Sequence, residues 1–152
     1  MRGDIALFLG LVTVIGSGII VAAVLFFGGG GGGGDSACDD PLPPLDDSDI
    51  SRLAFQTEDA GLARVAQAAT AGDLEAAESA FFGDVHNFTH DVDAPLREAD
   101  KELAITLCEE ITEIEEELAF GRRISVIAGQ ATRLRELIQD AAEALGYARP
   151  GG

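Results

Sequence analysis

Residues 5–27, IALFLGLVTVIGSGIIVAAVLFF, run for 23 positions without a charged side chain. A helix rises about 1.5 Å per residue, so the segment reaches about 35 Å, enough for a hydrocarbon core of about 30 Å. Inside a bilayer every backbone polar group needs an internal partner, which makes a helix the form for a single span. A transmembrane helix is therefore expected over 5–27. The rival is a cleaved signal peptide, whose apolar region is usually about 7–15 residues and ends in small side chains. Here Phe26 and Phe27 close the run. Positive charge marks the cytoplasmic flank, and Arg2 is the last basic residue before Arg52. Residues 1–4 are thus expected to be a short cytoplasmic N-terminus, with the rest of this single-pass chain outside the cell membrane. Within the span, Ala6, Gly10, Thr13 and Ser17 step by four, three and four. They stack small side chains on one face, a surface suited to helix–helix contact in the membrane.

Seven glycines, Gly28 to Gly34, follow the span, and Asp and Pro dominate the stretch after them. Residues 28–56 therefore read as a flexible linker. All but Asp4 of the 27 acidic residues and all but Arg2 of the ten basic ones lie beyond the glycine tract, and the net charge is −17. Such a domain repels nucleic acid and anionic lipid surfaces, so no nucleic-acid partner is expected.

From residue 57 to 146 the chain shows helical apolar periodicity. A first helix is predicted at about 58–71, with Leu62, Val65, Ala66 and Ala69 inward and a stop at Gly72. A second, at about 74–92, carries Leu74, Ala77, Phe81, Val85, Phe88 and Val92 on one stripe. Asp93-Ala94-Pro95 reads as a restart, since Asp caps helices and Pro is tolerated in a first turn. The third helix then runs to about Phe120 through Leu96, Ala99, Leu103, Leu107, Ile111, Ile114 and Leu118. The fourth carries Ile124, Ile127, Ala131, Leu134, Ile138, Ala141 and Leu145 without a break, and residues 147–152 are left as a flexible tail. Loops of two to four residues make neighbouring helices antiparallel. The expected fold class is all-α: an N-terminal transmembrane helix, a flexible Gly linker and a small antiparallel four-helix bundle.

Both histidines of the chain, His86 and His90, are four residues apart on the second helix. That spacing brings two imidazoles to one point, and Asp93 falls on nearly the same face. Two neutral imidazoles and a carboxylate suit a divalent transition metal such as Zn²⁺, Cu²⁺ or Fe²⁺. Counting 100° per residue places both histidines away from the core stripe, toward solvent or a partner. A hydrolytic zinc helix carries Glu after its first His, whereas Asn87 stands here. Two histidines on successive turns cannot ligate opposite faces of one haem. Cys38 and Cys108, the only cysteines, are expected to pair outside the cytoplasm across a loop of about 70 residues. The acidic run Glu109, Glu110, Glu113, Glu115, Glu116 and Glu117 reads as a solvated helix face.

No nucleophile–base pairing or phosphate loop is legible, so no catalytic activity is expected. The leading expectation is a membrane-anchored extracytoplasmic binding or scaffold module that meets a protein partner or a second copy of itself. The alternative is a metal-binding protein for sensing, storage or delivery, built on His86, His90 and Asp93. No cofactor is required under the first reading, and Zn, Cu or Fe under the second.

Overall fold

The computed structural model describes residues 38–45, 49–121 and 123–150. The expected membrane helix at 5–27, its stripe of Ala6, Gly10, Thr13 and Ser17, and the glycine tract lie outside these residues. Among the described residues no helix is long and apolar enough to cross a membrane.

The described residues form helices and no strand. Helix α1 spans Arg52–Ala71, α2 Leu74–Ala80, α3 His86–Ala99, α4 Lys101–Phe120 and α5 Ile124–Ala144, with a π-helical turn at Phe81–Val85 between α2 and α3. Ala80, Phe81, Val85 and His86 all keep right-handed helical angles, so α2, the π turn and α3 form one continuous arm. This arm packs on α1 through α2 and on α4 through α3, while α5 packs on both α1 and α4. The result is a helical bundle closed around a single core.

The core is built by the stripes that the periodicity marks out. Leu62, Phe81, Val85, Leu107, Ile111, Ile114, Leu118, Ile127, Leu134 and Ile138 are all buried. Each fully buried Leu, Ile or Phe contributes about 1.5–3 kcal/mol relative to an exposed one, so this apolar seam is the main favourable term in the fold. Side-chain caps fix where the helices start. Ser51 accepts from Ala54 N at 3.2 Å, Asp73 from Ala76 N at 3.0 Å and Asp100 from Leu103 N at 3.0 Å. Such a cap is worth about 1 kcal/mol. Gly72 and Gly121 end α1 and α4 in the left-handed region, at φ 78° and 57°, where a Cβ is penalised.

Three boundaries differ from the sequence expectation. Helix α1 starts at Arg52 rather than about 58, because the stripe runs Phe55, Glu58, Leu62, Val65, Ala69 and its second member is an acid that is 4% exposed. The predicted restart at Asp93-Ala94-Pro95 is not a break. Pro95 lies inside α3, which runs on to Ala99, and Asp100 caps the next helix. Proline removes one helical hydrogen bond, but Leu96 stays fully buried and the Asp93 carboxylate bonds Arg97 rather than a backbone N–H of a new first turn. Finally, Tyr147 belongs to the fold. Its hydroxyl donates to Ile50 O at 2.7 Å and its ring lies 5.4 Å from that of Phe55, joining the end of α5 to the start of α1.

Candidate metal centre

Residues 38–45 form a strap along α3. The Cys38–Cys108 disulfide ties its first residue to α4, and neither sulfur-bearing residue is more than 2% exposed. Side chains of α3 hold the rest. The Arg97 guanidinium donates to Cys38 O at 2.9 Å and to Asp39 O at 3.4 Å. Leu42 N–H donates to Asp93 Oδ2 at 2.9 Å, and Leu45 N–H to Asp91 Oδ1 at 3.1 Å. Arg97 Nε also donates to Asp93 Oδ2 at 2.7 Å. The disulfide expected from the cysteine count is therefore present, and part of what reads as linker is fastened to the bundle.

His86 is the first residue of α3, directly after the π turn, and His90 lies one turn further on. Their ring centroids are 4.7 Å apart. Both are partly buried, because the groove between α3 and α4 and the strap enclose the face that angular counting assigns to solvent. The Phe82 ring meets His86 edge-on at 5.6 Å and forms an apolar wall at one side. Across the groove, α4 presents Glu115, whose Oε1 is 3.0 Å from His86 Nε2. Ligand atoms of His86, His90 and Glu115 all lie within 4.8 Å of one another.

Asp93 is not part of this cluster. It is 2% exposed and occupied by Arg97 and the Leu42 amide. The third ligand that the sequence reading assigns to Asp93 is thus replaced by Glu115. Helical periodicity places Asp93 under His86, but the strap covers that level of α3 and turns its carboxylate to a structural task. Glu115 has no local signal, since it belongs to an acidic run on another helix. That run is not uniformly solvated either. Glu110 pairs with Arg133 at 2.8 Å, and Glu117 is 8% exposed and paired with Arg123.

Two details bear on chemistry. His90 Nδ1 lies 3.0 Å from Pro43 O. A carbonyl oxygen can only accept, so Nδ1 carries the hydrogen and the Nε2 lone pair of neutral His90 is free. Secondly, the 3.0 Å separation of Glu115 Oε1 and His86 Nε2 is that of an ion pair, yet Oε1 is shielded from solvent and receives no aligned hydrogen bond. Hydrogen bonds weaken steeply off-axis, so this contact is a weak hydrogen bond at ion-pair distance. A shielded carboxylate oxygen beside two imidazoles is a donor set that suits a cation.

The geometry fits a metal ion. Bonds of about 2.0–2.1 Å in a tetrahedral set place ligand atoms about 3.3 Å apart. The His86–Glu115 pair already meets this spacing, and the widest gap closes by about 1.5 Å, within reach of a side-chain rotation. Comparison of the chain with protein-family models, with curated proteins and with solved structures finds no match in any of the three.

Proposed function

We propose that this protein binds one divalent transition-metal ion through His86, His90 and Glu115, in an acidic four-helix domain with antiparallel arms. In this reading the helix at 5–27 tethers the domain to the outer side of the cell membrane. The observation that carries the reading is the convergence of ligand atoms of His86, His90 and Glu115 from two helices, with the Glu115 oxygen shielded from solvent.

The donor set is two imidazole nitrogens and a carboxylate, without thiolate, which suits Zn²⁺, Cu²⁺ or Fe²⁺ better than Cu⁺. Hard cations such as Ca²⁺ prefer six to eight oxygens and are poorly served. A net charge of −17 favours cation approach. Binding rather than turnover is proposed, because Asn87 stands where a hydrolytic zinc helix places its Glu base. A metal-handling role such as sensing, storage or delivery follows.

The test is calorimetric titration of the full chain in detergent micelles with Zn²⁺ and Cu²⁺. One ion per chain with micromolar or tighter affinity is expected. His86→Ala and His90→Ala each abolish it, and Glu115→Gln weakens it. Binding that survives both histidine substitutions, or no binding by the unaltered chain, overturns the proposal and returns the histidines to the role of partner contacts.

A further inference from the structure

The strap has one contact that a mere covering segment does not require: it reaches a ring nitrogen of a proposed ligand. Metal-bound histidines generally donate their second ring N–H to a carbonyl or carboxylate, which fixes tautomer and ring orientation. Pro43 O stands in that position for His90. A backbone carbonyl can do this only if its segment is held. The strap is held at five points: Cys38 to Cys108, the Arg97 fork on Cys38 O and Asp39 O, Leu42 N on Asp93 and Leu45 N on Asp91. The disulfide is the only covalent one. Without it, an eight-residue segment of Asp, Pro and Leu keeps only individually weak hydrogen bonds against a large loss of chain entropy.

We infer that the strap is the outer shell of the metal centre, and that closing Cys38–Cys108 raises the affinity of His86, His90 and Glu115 for their ion. The inference rests on the metal reading of the site. Its chemistry is a two-electron oxidation. The Cys38 and Cys108 thiols lose two protons and two electrons as the S–S bond forms, and a protein or small-molecule disulfide takes them up to become a dithiol. Before that step the chain is a weak binder with a loose strap; after it, Pro43 O is fixed over His90 and the site is complete. Burial decides the direction of use. Thiol–disulfide exchange needs access of an attacking thiolate to a sulfur, and both cysteines are 2% exposed. The bond is therefore a latch closed once, on entry into an oxidising compartment, and not a switch that cycles. Full affinity for metal is thereby reached only by chains that have left the reducing cytoplasm.

The experiment compares the oxidised full chain in detergent micelles with the Cys38→Ser/Cys108→Ala variant, which has no thiol to act as a new ligand. Zn²⁺ affinity is measured by competition with a chromophoric chelator. Helicity is followed by circular dichroism, and the His90 tautomer by long-range ¹H–¹⁵N spectra. Loss of a second-shell partner typically weakens metal binding about 10–100-fold, and that is the loss expected here with helicity retained. The spectra should show His90 protonated at Nδ1 in the oxidised chain and mixed in the variant. Equal affinity of the two chains overturns the latch while leaving the metal reading intact, whereas absence of binding by the oxidised chain removes both. Should the variant fail to fold, the oxidised chain alone decides: His90 protonated at Nε2 would overturn the inference.

Discussion

The Cys38–Cys108 disulfide should also carry a measurable share of the domain's stability. Its partners are 70 residues apart in sequence, so the bond closes a loop holding all of α1, α2 and α3 and the first part of α4. In the chain-entropy model a cross-link of this length removes about 15 cal/mol/K from the unfolded ensemble, or about 4 kcal/mol at 25 °C. For a domain of this size each kcal/mol shifts the melting temperature by roughly 4–8 °C. The Cys38→Ser/Cys108→Ala variant of the full chain should therefore melt about 15–30 °C lower by far-UV circular dichroism. Ala at 108 keeps that buried position apolar, which leaves the lost cross-link as the main difference. In urea the variant should also show a steeper dependence on denaturant, because its unfolded chain opens further and exposes more surface. A shift under about 5 °C would refute the reasoning. It would mean that the unfolded chain is already confined over this loop.

Three further predictions concern other parts of the bundle. Burial raises the Asp59 carboxyl, but the hydrogen bonds from Arg135 and Gln139 and the Arg135 charge together outweigh it and hold the group below its ordinary value. A depressed folded pKa gives stability that is present above the unfolded pKa of about 3.9 and is lost as pH falls through the folded one. Asp59→Asn should thus cost about 1 kcal/mol at neutral pH, with the gap to the unaltered chain closing in acid melts. A gap independent of pH would show that the carboxylate charge is not what stabilises. In α5, Gly129 has right-handed backbone and open space around a built Cβ, so Gly129→Ala should stabilise by about 0.5–1 kcal/mol. Gly121→Ala should destabilise by about 1–2 kcal/mol, since φ is +57° there and the new Cβ meets Leu74 Cδ2 at 3.0 Å.

What the sequence reveals of this domain follows from how each feature is encoded. Helix α5 is legible because Ile127, Ala131, Leu134, Ile138 and Ala141 repeat without a polar interruption, and all five are buried. The start of α1 is hidden because Glu58 occupies a stripe position, and an acid in a seam looks like the end of one. Asp93-Ala94-Pro95 has the composition of a helix start, but the tertiary demand for Leu96 in the core and for the Asp93–Arg97 pair overrides it. The pairing of His86 with His90 is a local property of helix spacing and is visible in advance. Glu115 is brought to them by the packing of α4 on α3, which no spacing rule within one helix contains. Pro43 is further removed still, since its place depends on a disulfide 70 residues long and on four side chains of α3.

Anomalous diffraction at the zinc absorption edge, from crystals of the oxidised chain grown with one equivalent of Zn²⁺, tests the central claim most directly. The account predicts a single strong peak in the groove between α3 and α4, about 2.0–2.1 Å from a nitrogen of His86, from Nε2 of His90 and from a carboxylate oxygen of Glu115, with Pro43 O still on His90 Nδ1. A map without a peak there, or with zinc held by Asp93 or by surface carboxylates while the two imidazoles stay unligated, would contradict it.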